Sequence, residues 1–311
     1  MAEIQTGVKL PAGWRRDPAW EEAIRHTGNI LERICALGFG YVEYGVGTLE
    51  DGGERTLLEK EIRACAGTGL GVALHPYFGD QARIAAFDST SGCRRALGRI
   101  VRACENAAEI IAPPVVLNTH LAEAPWDPEK VDPELFREEL RRQSRLYLGE
   151  LRRRIDGSAG FVRVVIEHQV PPAPEENLMR IGDTSAELFR VVEPTDLEVC
   201  WDTGHYLLAV ERHGQSIDPP RRFLGRVGHV HLHDVVDGAD HRPISSSSER
   251  LRSWLERLVR AGFNGGITLE YDHRAVANEG GLLAVLEGAM GRFREWGITE
   301  GGANVSASSG Q

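Results

Sequence analysis

Along the chain, short runs of apolar and β-branched residues alternate with longer stretches whose apolar positions recur every three or four residues. That βαβα alternation is the mark of a parallel sheet covered by helices. The runs predict strands at residues 6–10, 41–44, 71–75, 115–119, 161–167, 197–202, 227–232 and 267–270. Between them, Ile24, Leu31, Ile34 and Cys35 mark one helix and Leu58, Ile62 and Cys65 a second, while Leu251, Trp254, Leu255, Leu258 and Val259 form the apolar stripe of a later one. Asp132 followed by Pro133 predicts an N-cap with proline at the first helical position, opening a helix over 134–154, and Gly38, Gly67 and Gly262 stand where helices should stop. Eight βα units that continue evenly, with no linker of changed composition, favour one closed barrel over a doubly wound sheet. The predicted fold is an α/β protein, a (β/α)8 TIM barrel in a single domain over residues 1–299. Residues 300–311 turn to Gly, Ser and Ala and are expected to form a disordered tail.

A parallel strand buried on both faces should be almost wholly apolar, so an ionisable residue at its C-terminal end is costly unless something there uses it. Six strands carry one. GVALH ends in His75, VVLNTH in His120, FVRVVIE in Glu167, LEVCWD in Asp202 and GITLE in Glu270, while VGHVHLHD holds His229, His231, His233 and Asp234. In a barrel, that face is where strand ends from distant parts of the chain converge and where active sites form. Taken singly, a histidine such as His75 is as well explained by a hydrogen bond in the core or a loop. Six coincidences are hard to produce by packing alone. The set Glu167, Asp202, His231 and Glu270 points to a divalent cation, and two glutamates, an aspartate and an imidazole suit Mn2+, Co2+ or Zn2+. Strand alternation sends His229, His231 and His233 to one side, so spacing does not choose the ligand among them.

Composition and charge narrow the picture only slightly. Hydrophobic residues at 41% and charged ones at 26% of 311 residues fit a globular protein with a sizeable core. A net charge of -10 argues against a nucleic-acid scaffold. No apolar run approaches the roughly 18 residues of a membrane span, and the N-terminal segment lacks the apolar core of a signal peptide, so a cytoplasmic protein without a membrane partner is expected. Cys35, Cys65, Cys93, Cys104 and Cys200 are scattered without a CxxC pair and are expected as small core residues. Arg141, Arg142, Arg152, Arg153 and Arg154 are expected on a solvated helix face.

With these residues in view, the chain resembles the xylose isomerase-like barrel superfamily of sugar and sugar-phosphate isomerases and epimerases, which also includes endonuclease IV. The motifs that carry the resemblance are VALHPYF at 72–78, VVLNTH, VVIEHQ, CWDTGH, GHVHLHD and ITLEYD, spread over nearly the whole chain. The resemblance implies Glu167, Asp202, His231 and Glu270 as the shared metal set, with His231 favoured because the second histidine of the family's HxH takes that role. It also implies that Glu167 and Glu270 act as acid and base on opposite faces of the substrate. His205, three residues after Asp202, matches a substrate-contacting or second-metal histidine. His75, His120 and Trp126 are further candidate substrate contacts, with Tyr77 and Phe78 as apolar walls. Two departures stand out. Asp237 occupies the place where some ketose epimerases have an arginine, six residues after the metal histidine. The DxH and glycine-rich segment usual after strand seven is here the pair Asp240 and His241, followed by PISSSS.

Two chemistries are compatible with these residues. A cation that polarises a hydroxyl-carbonyl pair lowers the barrier to removing the adjacent C–H proton, and two carboxylates can take and return it. That reading expects one ion and a sugar or sugar-phosphate passing through an enediolate. The endonuclease IV branch instead uses a three-metal cluster, for which His75, His120, His205, Asp240 and His241 are candidate additional ligands, giving phosphodiester hydrolysis with up to three ions. A barrel that only binds a sugar or polyol is a third reading. A homo-oligomer is compatible with the sequence, which leaves subunit number, metal identity and substrate phosphorylation open.

Overall fold

A computed structural model describes residues 4–11, 18–21, 23–24, 29–47, 49–76, 91–111, 114–127, 129–158, 162–173, 175–245 and 248–298. Each predicted strand forms: β1 (Gln5–Pro11), β2 (Tyr41–Val46), β3 (Gly71–Pro76), β4 (Val115–Thr119), β5 (Val162–Glu167), β6 (Glu198–Asp202), β7 (Val227–Leu232) and β8 (Gly266–Leu269). All pair in parallel in chain order, and β1 closes on β8 to make a barrel. Helices between the strands cover its outside, so the fold is the (β/α)8 barrel. The expected tail at 300–311, Tyr77 and Phe78 lie outside the described residues.

Local chemistry sets the helix boundaries. The Asp132 carboxylate accepts from the Glu134 and Leu135 N–H groups, with Pro133 at the first position, and opens Pro133–Ile155 as predicted. Gly38 and Gly262 follow their helices with φ of 98° and 93°, a region glycine enters at no steric cost. The stop expected at Gly67 falls instead at Gly69, φ 81°, because the helix Gly52–Thr68 runs through Gly67 and closes with a left-handed cap. Ile24 does not share a helix with Leu31 and Ile34. It sits in a turn after the short helix Pro18–Glu21, and the next helix begins at Ile30.

The core follows the predicted stripes with instructive exceptions. Leu251, Trp254, Leu255 and Leu258 are buried, but Val259 is 41% exposed. Eight residues of α-helix rotate a position about 80° away from the first, enough to carry Val259 past the rim of the stripe. Arg141 is not solvated: it is 5% exposed and bridges Glu187, Glu134 and Glu138. Cys65, Cys104 and Cys200 are core residues, whereas Cys35 is exposed.

Two small antiparallel ribbons rise from the loops after the C-terminal strand ends. One pairs Glu123–Pro125 with Leu178–Arg180, the other Asp234–Val236 with Ala239–Arg242. Asp237 and Gly238 turn the second ribbon with positive φ, as a tight hairpin requires, so the place of the family's arginine is here a hairpin tip. Among the described residues, no helix is long and apolar enough to cross a membrane.

Candidate metal centre

Four successive strands, β5 to β8, bring residues at or beside their C-terminal ends to one point. The Nδ1 atom of His231 lies 2.5 Å from Glu270 Oε2, 3.3 Å from Glu167 Oε2 and 3.7 Å from Asp202 Oδ2. Glu167, Asp202 and His231 are fully buried, and the Glu270 side chain is 15% exposed. The two atoms are in ion-pair contact, yet neither His231 Nδ1 nor Glu270 Oε2 makes a hydrogen bond of regular geometry. Buried polar atoms are hydrogen-bonded in nearly all folded proteins, so two pressed together without regular hydrogen-bond geometry need a reason. Three carboxylates around one imidazole nitrogen are the donor set of a divalent cation, and the residues fit one. Burial alone would lower the His231 pKa, but the surrounding carboxylates hold it well above the usual histidine value. The negative field that favours a proton there favours a metal ion too.

The other face of the His231 ring explains its orientation. Its Nε2 lies 2.8 Å from Glu43 Oε1, a carboxylate with no solvent exposure in the middle of β2. Glu43 Oε2 in turn is held by His229 Nε2 at 3.1 Å and by the Thr268 hydroxyl at 2.9 Å. Burial works against the Glu43 charge, yet His231 and the hydrogen bonds from His229 and His231 keep the carboxyl well below the usual carboxylate range. With its Nε2–H committed to Glu43, His231 turns Nδ1 toward the three carboxylates. Such second partners fix the tautomer of metal-binding histidines.

This arrangement separates the three histidines that alternation could not. His229 is committed to Glu43 and Thr268. His233 accepts the His241 N–H at Nδ1 and turns Nε2 to Asp202 Oδ1 at 2.9 Å, so it positions Asp202. Its ring packs over Gly204, where a Cβ would come within 2.0 Å of it, which accounts for the glycine in CWDTGH. Asp202 also accepts the His205 N–H at 2.7 Å, capping the helix Thr203–His213. Replacing Glu43 with glutamine keeps its shape but removes the charge behind His231. Metal affinity measured by competition with a chromophoric chelator is expected to fall about 10–100-fold. Unchanged affinity would show that Glu43 does not set the ring.

A cavity of about 300 Å3 opens above this point, lined by Lys9, His75, His120, Glu167, His205, His241 and Glu270 together with apolar groups that include Trp20, Val170 and Tyr271. Trp126 is not among its lining residues. The Trp126 indole N–H donates to the Val131 carbonyl, and its backbone is tied to Asn177, which holds it in the loop beyond the cavity. His205 donates from Nδ1 to the His168 carbonyl at 2.9 Å and points Nε2 toward Asp240 Oδ2 at 3.8 Å. His241 reaches Glu270 Oε1 at 3.4 Å and Asp240 Oδ1 at 3.2 Å. It adopts φ 53°, uncommon for a residue with a side chain, and is held there by His233 on its N–H and by the Asp272 N–H on its carbonyl.

Three residues here escaped the strand-end reading: Lys9, Glu43 and Asn118. Lys9 Nζ lies 2.5 Å from Glu270 Oε1 and 2.6 Å from His75 Nδ1. Asn118 donates to Glu167 Oε2 at 2.5 Å. Lys9 and Glu43 sit in GVKLP and YVEYGV, within strands and not at their last residue. Their signal was a lone charge inside a run that a closed barrel must bury.

Comparison with known proteins agrees with this architecture. No curated protein matches the sequence. Among solved structures, a D-tagatose 3-epimerase-like protein superposes with a TM-score of 0.62 at 16% identity, over 94% of this chain and 97% of the other. D-psicose 3-epimerase with D-tagatose from Clostridium cellulolyticum H10 gives 0.64 at 14% identity, over 95% and 100%. The 3-keto-D-glucoside 4-epimerase YcjR from E. coli gives 0.58 at 16% identity, over 89% and 97%. At these identities the likeness speaks for the fold. The sequence itself matches the xylose isomerase-like TIM barrel over residues 31–291, and the chain belongs to that family.

Proposed function

We propose that the chain is a divalent-metal-dependent isomerase or epimerase of a sugar or sugar-phosphate, with Glu167, Asp202, His231 and Glu270 as ligands and Glu167 and Glu270 as the proton-transferring pair. The observation that carries this reading is the convergence of three carboxylates on the buried Nδ1 of His231, two of them also lining the cavity. A bound ion would supply the charge that polarises a hydroxyl-carbonyl pair. Glu167 at the end of β5 and Glu270 just after β8 reach the cavity from different strands. One takes the proton from the carbon beside the carbonyl, and the other returns it. Trp20 and Tyr271 offer apolar surface to the carbon face of a sugar, while His75, His120, His205 and His241 offer hydrogen-bond partners to its hydroxyls. The epimerases that share this fold act in the same direction as support.

Incubating the metal-loaded protein in deuterated water with a panel of ketoses, aldoses and their phosphates tests the reading by mass spectrometry. One deuterium at the carbon beside the carbonyl of at least one sugar is expected. No exchange across the panel would overturn it. A second reading, phosphodiester hydrolysis by several ions, draws on ligand atoms of Asp202, His205, His233 and His241 that lie within 4.8 Å of one another. Cleavage of a model phosphodiester without sugar exchange would mark that outcome.

A further inference from the structure

We infer that the Lys9 ammonium takes the place of a metal cation beside His75 and His120 and keeps an ion off these two histidines. The inference rests on the metal-centre reading above and extends it to the neighbouring part of the cavity. The Nε2 atoms of His75 and His120 are 3.4 Å apart, and each faces a Glu167 oxygen, at 3.4 and 3.1 Å. Two imidazoles and a carboxylate meeting at one point are a donor set that a borderline divalent ion takes readily.

Lys9 changes what His75 can offer. An ammonium has hydrogens to donate and no lone pair, so a ring nitrogen 2.6 Å from it must be the acceptor. A neutral imidazole has one N–H, and with Nδ1 accepting, that proton is on Nε2, facing Glu167. A nitrogen that bears a proton is not a ligand. His75 Nδ1 also lies 3.1 Å from Glu43 Oε1, but that oxygen already holds His231 Nε2 at 2.8 Å, and the Lys9 contact is the shorter of the two.

Charge acts in the same sense. Lys9 forms a salt bridge with Glu270 Oε1 at 2.5 Å, which fixes a positive charge at this point. A dication on the far nitrogen of His75 would face this fixed positive charge across one ring, where little water intervenes to screen it. The ammonium is delivered by the barrel itself, since Lys9 pairs in register with Glu43 across β1 and β2. It also divides the work of Glu270: Oε1 is taken by Lys9, and Oε2 remains turned to His231.

The test is the number of ions bound. Wild-type protein, Lys9→Met and Lys9→Arg are loaded with Zn2+, dialysed and analysed for metal per chain. Lys9→Met is expected to hold one ion more than wild type, Lys9→Arg the same number as wild type, and adding His120→Ala to Lys9→Met should remove the extra ion. Equal, non-zero counts in wild type and Lys9→Met would overturn the role of Lys9 and leave the metal centre standing. Zero ions in both would overturn the two together. Nitrogen NMR of wild-type His75 gives a check that needs no variant: the neutral form with its proton on Nε2 is expected before and after Zn2+ loading. A proton on Nδ1, or a metal-induced shift of Nε2, would overturn the inference.

Discussion

Glu270→Gln is expected to lower turnover about a thousandfold while the chain stays folded. Glu270 serves two partners at once, Lys9 through Oε1 and the His231 point through Oε2. Glutamine has nearly the same shape, so the barrel packing around it survives. Its amide is neutral, however, and cannot carry a proton between carbon and solvent or compensate a cation. Lys9 would lose its closest carboxylate, and a modest fall in stability should accompany the loss of activity. Circular dichroism and a denaturant titration verify the fold, and the deuterium-exchange assay reads the chemistry. Full exchange in this variant would remove Glu270 from the mechanism.

Removing divalent ions with a chelator is expected to abolish exchange altogether, and restoring Mn2+, Co2+ or Zn2+ should recover it with at least one of the three. The reason lies in the same cluster. Three buried carboxylates around one imidazole lose their compensation when the ion leaves, so the stripped protein should also be less stable. An ion that binds only the folded chain, supplied at 100 times its dissociation constant, adds about 2.7 kcal/mol. Thermal unfolding with and without the ion therefore gives a readout independent of substrate. The stabilisation should fade as pH drops, because carboxylates and imidazole must be unprotonated to bind metal. Undiminished exchange after complete stripping would sink metal dependence.

Much of this architecture was legible from residue order. Eight apolar runs became eight barrel strands, because strand burial on both faces leaves a nearly continuous hydrophobic signature. Residues at strand ends were legible for the complementary reason, since Glu167 and Asp202 interrupt that signature at its last position and His231 one residue before it. Helix limits were less secure. Gly67 and Gly69 are equivalent in composition, and only the backbone shows which one turns left-handed. Trp126 looked available because loops after barrel strands surround the active face, but its indole is engaged by the loop's own carbonyl.

The order of residues by itself determined the barrel, the face on which ionisable strand-end residues gather and the three carboxylates that converge there, because apolar content and periodicity are local properties of each segment. Which nitrogen of which histidine is available was decided by the tertiary structure. His231 is oriented by Glu43, 188 positions away in the chain, and Glu270 is shared with Lys9, 261 positions away. A ring's tautomer and a carboxylate's free oxygen depend on what closes against them across the barrel, and no local pattern records that contact.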